Sequence, residues 1–379
     1  MKISYISTSR IPSRTANSIH VMKMCNAFAA LGHDVTLFSS ARDRSDHDDV
    51  ADIYDFYGVE PVFGLRRIRQ RGGLVGRHLY GVFAALWSVL NAPDVIYTRD
   101  LTAAFVLCLL GRNVVYESHA PADGTAVKRF LVRWLFRKRS LQRVVVITHA
   151  LRRYYEDVFP FLAGRILVAP DAADPLPGDI NAVAFEGKGE RLQVGYTGHL
   201  YPGKGMETVA ALAPLASWAD FHVVGGTPAD IDRWKRQGVA SDNLIFHGFH
   251  PHSDVPAFLC AFDVLLLPNR KVVLTDGYGG AGGKEALNIS DWTSPLKAFE
   301  YMSTGKPILV SDLPALREVF EDGQNALLCD PEQPEDWLNK LTMLRDDSEL
   351  RHTLGAEALG RFLEKYTWRA RARQIAEVF

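Results

Sequence analysis

The twenty residues TSPLKAFEYMSTGKPILVSD, positions 293–312, contain both elements from which a parallel α/β domain is built. Ser294 followed by Pro295 predicts a helix start, with the hydroxyl as N-cap and proline in the first turn. The apolar run 307–311 comes after this helix and predicts a buried strand. A helix leading into a buried strand is typical of parallel sheets covered by helices on both faces.

The same alternation extends through the whole chain. Strands are predicted at 2–7, 34–39, 94–97, 113–117, 143–148 and 166–169, then at 192–196, 221–225, 244–248, 264–267, 307–311 and 326–329. The Pro-, Gly- and Asp-rich segment 174–190 separates the two series and is interpreted as a linker. We therefore predict two Rossmann-like domains, at 1–180 and 190–365, with ligands bound in a cleft between them at the carboxyl ends of the strands.

Composition narrows the function classes. The chain has 379 residues and a net charge of −1, which gives the whole molecule no global attraction to nucleic acid. Residues 1–180 carry 23 basic and 17 acidic side chains (+6), and residues 181–379 carry 20 and 27 (−7). Four dispersed cysteines predict buried free thiols, and no apolar run approaches the length of a membrane span, 101–110 being the best candidate. We expect a cytoplasmic protein.

Two segments offer sites for an anionic ligand. Ser294 and the free amides of a helix start, with Lys297 nearby, suit a phosphate, and Glu300 could accept hydrogen bonds from two ribose hydroxyls. The alternative is a capped helix whose charged side chains are merely solvated. The Gly-rich turn GHLYPGKG, 198–205, follows a predicted strand and carries Lys204, an arrangement that can hold a diphosphate.

Seven runs, taken in order, carry a family resemblance. They are AFAALGHDV (27–35), YTRD (97–100), VYESH (115–119), GHLYPGKG (198–205), IFHGF (245–249), AFDVLLLP (261–268) and SPLKAFE (294–300). Together they resemble glycosyltransferase family 4, a group of retaining enzymes, over nearly the whole chain. The resemblance implies a GT-B fold, with the nucleotide-sugar donor on the C-terminal domain and the acceptor on the N-terminal one. It also implies that the last helix, in 366–379, crosses back to the first domain.

The resemblance also implies roles for individual residues. Lys204 would neutralise the donor diphosphate, Glu300 would hold the ribose, and His119 would face the donor sugar and the reacting bond. The remaining donor-binding candidates are Gly198, His199, Gly248, Phe249, His250, Arg270, Ser294, Pro295, Leu296 and Lys297. No metal and no protein nucleophile are expected, because the leaving phosphate itself can take the acceptor proton and the protein supplies charge stabilisation and positioning.

Two positions depart from the family pattern. Trp292 stands where the family usually has a second glutamate, and His199 stands where it usually has arginine. A histidine is a weaker cation than arginine near neutral pH, so Arg270 or Lys271 is expected to assist. Asp291 or Glu285 could replace the missing carboxylate.

On the first domain, Ala16, Asn17, His20 and Arg99 are candidates for the acceptor side. Asn17 and Ser18 could instead simply cap the first helix. The sequence DHDD at 46–49 imitates a metal-binding motif, but we interpret it as a solvated loop and expect no metal ion.

Two basic segments lie in the first half, at 128–143 and at 66–71 with Arg77. The segment 128–143 predicts an amphipathic helix in which Phe130, Trp134 and Leu135 oppose arginines, which suits an anionic membrane or a lipid-diphosphate acceptor. The alternative is an ordinary surface helix with arginines around a buried aromatic stripe. The Gly-rich loop 274–290 is either a lid over the donor sugar or a disordered insertion.

The leading hypothesis is a retaining, metal-independent hexosyltransferase that uses a UDP- or GDP-sugar and a saccharide or lipid-linked saccharide acceptor, in the synthesis of cell-surface polysaccharide. Such an enzyme would work in the cytoplasm, at the inner face of the membrane if its basic segments bind lipid. One alternative is a non-catalytic nucleotide-sugar-binding or scaffold relative, which Trp292 and His199 motivate. A nucleotide-sugar epimerase is a weaker alternative, against which the pattern of 294–300 argues.

Overall fold

The structure is a computed structural model that describes residues 1–41, 50–122, 126–185, 190–237, 241–273, 288 and 290–379, with backbone only at 126–128. The described chain forms two compact units, Met1–Asp171 with Trp368–Phe379 (unit 1) and Ala172–Thr367 (unit 2). The change of unit at Ala172 lies ahead of the predicted linker. Within unit 2, Val183 and Phe185 pack against the core and the Val183 amide donates to Ala257, so this part of 174–190 belongs to a folded unit.

Unit 1 contains seven strands and seven α-helices among its described residues. The strands are β1 (Lys2–Arg10), β2 (Asp34–Ala41), β3 (Gly64–Arg69), β4 (Val95–Thr98), β5 (Val114–Ser118), β6 (Leu141–Val146) and β7 (Ile166–Val168). The helices are α1 (Ala16–Ala30), α2 (Ile53–Phe56), α3 (Gly73–Leu90), α4 (Leu101–Leu109), α5 (Ala126–Phe136), α6 (His149–Val158) and, at the end of the chain, α13 (Trp368–Ala376). The strands form one parallel sheet in the order β3-β2-β1-β4-β5-β6-β7.

Unit 2 repeats the architecture with six strands. These are β8 (Leu192–Thr197), β9 (Ala219–Val224), β10 (Leu244–Gly248), β11 (Val264–Leu267), β12 (Ile308–Ser311) and β13 (Leu327–Cys329), in the parallel order β10-β9-β8-β11-β12-β13. Its helices are α7 (Met206–Leu212), α8 (Pro228–Arg236), α9 (Val255–Ala261), α10 (Leu296–Met302), α11 (Pro334–Asp346) and α12 (Ser348–Lys365). Two apolar clusters cover the two faces of this sheet. The predicted fold class, two parallel-sheet Rossmann-like domains, is confirmed.

All twelve predicted strands are present, and β3 is an additional one. Its sequence, GLRRIR, places three arginines on an edge strand whose residues are all exposed or half-buried. An edge strand needs no continuous apolar run, so the apolar patterning that identified the other strands was absent here.

The strand order reverses at β1/β4 in unit 1 and at β8/β11 in unit 2. In open α/β sheets, the crevice at the carboxyl ends of such strands is where ligands bind. Segments 198–205 and 268–273 follow β8 and β11, and Arg99 and His119 follow β4 and β5. The topology therefore places Arg99, the turn 198–205 and Arg270 at the two reversal points, and His119 at the end of the neighbouring strand β5.

Candidate functional site

In unit 2 the turn 198–205 has a backbone shape that only glycine allows. Gly203 has φ +87° and Gly205 has φ +99°, in the left-handed region. A Cβ atom at Gly203 would lie 2.3 Å from the Val272 carbonyl oxygen, and one at Gly205 would lie 2.1 Å from the Pro268 carbonyl oxygen. The turn after β8 is thus packed directly on the segment after β11, as its glycines allow.

Two lysines converge on this turn. Lys297 Nζ lies 4.2 Å from the centre of the Tyr196 ring, and a Cβ atom added at Gly198 would lie 3.8 Å from it. The Tyr196 hydroxyl donates to the carbonyl oxygens of His199 (2.6 Å) and Lys204 (3.2 Å). Tyr196 therefore fixes the backbone of the turn with its hydroxyl and stabilises the Lys297 ammonium with its ring.

The electrostatics of the turn leave positive charge uncompensated. Lys297 Nζ is buried and has no hydrogen-bond partner among the described residues. Burial and then Lys204 hold the pKa of Lys297 well below its usual range, against the opposing effect of Glu300. Burial likewise lowers the pKa of Lys204 to about 8, and the pKa of His199 is lowered by desolvation and by both lysines. An anion bound between these groups would favour their charged forms.

The ribose and base candidates lie on α10 and after β10. Glu300 is half-buried, with Oε1 3.7 Å from Nε2 of His252, a neighbour that the sequence did not suggest. Gly248 ends β10 with φ +74°, Phe249 is exposed, and His250 is half-buried. These groups leave a carboxylate and an aromatic side chain accessible to a ligand of unit 2.

The predicted helix start differs by one residue. Pro295, with φ −74° and ψ 128°, is the N-cap of α10, and no side chain caps the helix. Because the extended ψ of Pro295 precedes the first helical residue, Leu296, the buried Ser294 lies before the cap. The expectation that Ser294 is the N-cap is therefore wrong.

The two proposed helper cations differ in availability. Lys271 Nζ is 2.5 Å from Glu332 Oε2, so its charge is already paired on the surface. The Arg270 amide donates to the Gly203 carbonyl oxygen at 2.9 Å, which attaches its backbone to the glycine turn. Arg270, not Lys271, is the helper candidate that remains.

For the missing carboxylate, Asp291 is exposed and Trp292 is half-buried. Glu285 and nearly all of the Gly-rich loop 274–290 lie outside the described residues, as does DHDD at 46–49.

One buried residue beside the turn was missed. Asn269, two residues after the end of β11, has 0% exposure, and neither polar atom of its side-chain amide has a hydrogen-bond partner among the described residues. A buried amide without partners costs free energy unless a ligand or water satisfies it. Its position one residue after Pro268, at the end of a buried strand, was the only available signal.

In unit 1, a charge network surrounds Glu117 at the end of β5. Glu117 Oε1 accepts a hydrogen bond from Arg371 Nη2 at 3.0 Å and another from the His119 ring. His20 Nε2 lies 3.1 Å from the same oxygen, and its Nδ1 is 2.7 Å from Asp171 Oδ1. Arg371 comes from α13, 254 residues along the chain.

This network sets the protonation of its members. Burial alone would raise the pKa of Glu117, but Arg371, His20 and His119 together hold it well below its usual range. Burial and the adjacent Arg99 lower the pKa of His119 to about 4, against the effect of Glu117. Glu117 is therefore ionised and His119 neutral near pH 7, so the imidazole can donate or accept a hydrogen bond.

The four acceptor-side candidates fall in different environments. Thr15, not Asn17 or Ser18, caps α1, because its side chain accepts from the Ser18 amide. Ala16 and Asn17 begin the helix and are exposed, whereas His20 is 1% exposed inside the network. Arg99 is half-buried, with one terminal nitrogen buried and lacking a hydrogen-bond partner among the described residues. The structure therefore makes His20 a partner of Asp171 and Glu117, and leaves Ala16, Asn17 and Arg99 nearer to solvent.

Three possible metal ligands also meet here. Donor atoms of His20, His119 and Asp171 lie within 4.8 Å of one another. His20 and Asp171 are already hydrogen-bonded to each other, and His119 is hydrogen-bonded to Glu117. Nε2 of His20 lies 3.1 Å from Glu117 Oε1 but has no hydrogen-bond partner among the described residues.

Family comparisons agree with both units. The family described as Glycosyltransferase Family 4 matches residues 18–175, and that described as Glycosyl transferases group 1 matches residues 191–347. The chain belongs to glycosyltransferase family 4.

Individual relatives extend this result. The 2-deoxystreptamine glucosyltransferase of Streptomyces kanamyceticus is 29% identical over 233 residues, which are 54% of this chain and 55% of the relative. The chain spans about half the length of the curated relatives that it matches, for example 55% and 46%.

Solved structures match over the whole chain. Anabaena Alr3699/HepE, solved in complex with UDP, has a TM-score of 0.71 at 16% identity, covering 100% of this chain and 99% of its own. A glycosyltransferase from Rickettsia africae has a TM-score of 0.74 at 11% identity, covering 100% and 97%. These likenesses confirm the predicted GT-B fold.

Proposed function

We propose that this protein is a retaining glycosyltransferase that moves a sugar from a nucleoside-diphosphate donor to a saccharide or lipid-linked saccharide. The observation that carries the proposal is the pair of lysines, Lys204 and Lys297, at the glycine turn after β8. The Lys297 ammonium is buried without an anionic partner among the described residues, and its pKa is lowered. A diphosphate is a ligand that would compensate this charge.

The proposed chemistry depends on charge developing on the leaving diphosphate. When the bond between the sugar and the phosphate oxygen breaks, negative charge grows on that oxygen, and the two ammonium groups stabilise it. The acceptor oxygen forms a bond to the anomeric carbon on the same face, and the leaving phosphate takes the proton of that hydroxyl. The scheme therefore uses neither a protein base nor a protein nucleophile. In this scheme the lysines supply the positive charge, and we propose that turnover needs no metal ion.

For the donor, we propose that Glu300 binds the ribose hydroxyls and that the backbone at 248–250 lies beside the base. Uridine is favoured over guanosine because Anabaena HepE, a protein of the same fold, was solved with UDP. We assign to His119 a hydrogen bond with the transferred sugar, made by the neutral imidazole that Glu117 holds.

The proposals for the acceptor and for the cellular location rest on the name of a relative and on the charge of residues 1–180. The relative from Streptomyces kanamyceticus is named for glucosyl transfer to 2-deoxystreptamine, a small polar acceptor molecule. The basic excess of residues 1–180 favours an acceptor linked to a lipid diphosphate. We propose that the enzyme acts in the cytoplasm, at the inner face of the membrane, in the synthesis of cell-surface glycoconjugates.

The test is donor binding followed by turnover. Melting curves with UDP-, GDP-, ADP- and dTDP-sugars should show stabilisation with one nucleotide class, about 2.7 kcal/mol at 100 times the dissociation constant. Lys204→Met, Lys297→Met and Glu300→Ala should each lose that shift, whereas Lys235→Met, at an exposed lysine of α8, should keep it. The stabilising donor should then be hydrolysed or transferred in the presence of a chelator, with the product keeping the donor's anomeric configuration.

Trp292 and His199 support one competing function, a non-catalytic nucleotide-sugar-binding protein. That protein would show the same melting shift but would neither hydrolyse nor transfer the sugar with any acceptor offered. Absence of any shift would overturn both proposals.

A further inference from the structure

The outer face of α3 is apolar, although it faces solvent. Its exposed side chains recur at helical spacing and are Leu74, Val75, Leu79, Phe83, Leu86, Trp87 and Leu90. Trp87 is 51% exposed and Leu90 is 83% exposed. A surface helix normally has the opposite arrangement, with its apolar stripe against the core and polar residues outside.

The inner face of α3 explains why this helix belongs to the fold of unit 1. Its buried residues are small or polar: Gly76, Tyr80, Gly81, Ala84, Ala85 and Ser88. The Tyr80 hydroxyl donates to the carbonyl oxygens of Ser7 (2.5 Å) and Phe38 (3.0 Å), which attaches the helix to β1 and β2. A Cβ atom at Gly81 would lie 2.4 Å from Asp100, so the helix also packs closely beside the start of α4.

By length and composition, α3 is the one helix among the described residues that could cross a membrane, with a mean hydropathy of 1.2. One such helix is weak support for a span, and the packing of Tyr80 and Gly81 holds α3 along the sheet of unit 1. The sequence had suggested 101–110 as the most apolar run, but the structure exposes more apolar surface on Gly73–Leu90. The exposed face of α3 is therefore an apolar surface that unit 1 does not cover and that a partner outside the unit could cover.

A basic rim lies beside this apolar face. Residues 61–93 contain five arginines and no aspartate or glutamate. Arg66 and Arg67 are exposed on the edge strand β3, which α3 contacts, and Arg77 is exposed in the first turns of α3 itself. Because the rim carries one sign of charge, it favours an anionic surface.

The other basic helix, α5, is less suited to the same role. Trp134 is half-buried, its ring 4.8 Å from that of Phe105 and 3.9 Å from Lys138 Nζ. Arg133 donates to the Val158 carbonyl oxygen, and Leu135 is buried. Of the predicted apolar stripe only Phe130 is exposed, so the alternative interpretation of this segment, arginines around a buried aromatic stripe, describes it better.

We propose that α3 lies in the interface of an anionic lipid bilayer, with its apolar face in the acyl boundary and Arg66, Arg67 and Arg77 on the lipid head groups. We call these three arginines and the exposed side chains of α3 the docking face. Trp and Phe side chains are the aromatic groups typical of a membrane interface, and lipid phosphates complement the rim. A second copy of the chain is disfavoured, because a two-fold interface would bring the two arginine rims together. The inference goes beyond sugar transfer and does not depend on it.

The test is co-sedimentation of the full chain with vesicles, in the absence of donor and acceptor. The wild-type protein should bind vesicles of phosphatidylcholine with phosphatidylglycerol far more tightly than vesicles of phosphatidylcholine alone, and high salt should weaken the binding. Phe83→Ser with Trp87→Ser should lower the affinity roughly tenfold or more, since both side chains leave the bilayer. Arg66→Gln, Arg67→Gln and Arg77→Gln should each lower it roughly fivefold on anionic vesicles only.

The matched control is Met343→Ser with Leu363→Ser, two exposed apolar residues on α11 and α12 of unit 2. It should bind vesicles like the wild type, and circular dichroism should show that every variant is folded. Vesicle binding that is weak, or equal in the Phe83/Trp87 variant, would overturn the proposal. So would a wild-type dimer in sedimentation velocity that becomes monomeric in that variant, because the face would then bind a second copy.

Discussion

The two units differ in whether their buried charged groups are paired. In unit 1, Glu117 is surrounded by Arg371, His20 and His119. In unit 2, the Lys297 ammonium is buried and unpaired among the described residues, and Lys204, in the turn 198–205, has a lowered pKa. A paired buried charge is part of the fold, whereas an unpaired one is expensive and persists where a ligand supplies the partner. This contrast separates the supporting network of unit 1 from the donor site proposed in unit 2.

The largest effect on stability should come from Arg371→Met. Removing the guanidinium leaves the buried Glu117 carboxylate without its permanent cation, with the two imidazoles and the Tyr97 hydroxyl as its remaining partners. This loss should cost about 3–5 kcal/mol of unfolding free energy. Urea denaturation measures this loss. Arg373→Met, at an exposed position of the same helix, should change stability by less than about 0.5 kcal/mol. Adding Glu117→Gln to the Arg371 variant should recover part of the loss, and purely additive effects would contradict the pairing.

Lys297→Met should instead raise the stability of the ligand-free protein. The substitution keeps most of the side-chain volume and removes an uncompensated charge, so stability should rise by about 1 kcal/mol, roughly 2–4 °C in melting temperature. The same variant should lose about 100-fold or more in affinity for the nucleotide sugar, because charge-assisted contacts to the diphosphate disappear. Calorimetric titration measures the affinity, and Lys235→Met serves as the control.

Donor affinity should depend on pH through Lys204. Its pKa is lowered to about 8 in the free protein, so the ammonium is charged below that pH and becomes neutral above it. Bound diphosphate favours the charged form, so affinity should be highest below pH 8 and fall up to about tenfold per pH unit above it. Binding near pH 8.5 should also take up protons, measured by calorimetry in buffers of different ionisation enthalpy. In Lys204→Met the part of this dependence due to Lys204 should vanish.

The smallest predicted effect is on the titration of His119. Since its pKa is lowered to about 4, its ring resonances should stay constant between pH 5.5 and 8 (roughly 1.5 to 4 units above that pKa) and move only in more acidic solution. Nuclear magnetic resonance of labelled histidines follows this directly, with the exposed His352 as internal reference. Because Glu117 favours the charged imidazole, Glu117→Gln should lower the pKa of His119 further. A midpoint for His119 near 6.5 would contradict the network.

Local patterns were enough to predict most of the fold. The buried strand β11 is a continuous apolar run, VLLL, and the glycine turn directly follows the buried strand β8. The edge strand β3 was missed because an edge tolerates arginines, and the helix start at Leu296 was misplaced by one residue because Pro295 is itself extended. Whether a helix starts one residue earlier or later depends on backbone angles that the surrounding residues determine.

The sequence allowed prediction only of those site residues that lie together in one segment of the chain. Lys204, Lys297 and Glu300 stand in recognisable runs, but the pairing of Arg371 with Glu117 joins residues 254 positions apart. The sequence made His20 a candidate for the acceptor side, and only the fold shows that its side chain turns inward to Asp171. The apolar periodicity of α3 predicts a helix but not which face is outside, because small residues such as Gly81 and Ala84 fill the inner face.

The contrast between the paired charge of Glu117 and the unpaired charge of Lys297 is tested most directly by melting curves. The wild type, Lys297→Met and Arg371→Met are compared, each without and with a saturating UDP-sugar. We predict that Lys297→Met melts above the ligand-free wild type and no longer responds to the donor, whereas Arg371→Met melts well below it and still gains stability from the donor. Destabilisation by Lys297→Met with a full donor response would show that this lysine is a structural cation, and the proposed donor site would be wrong.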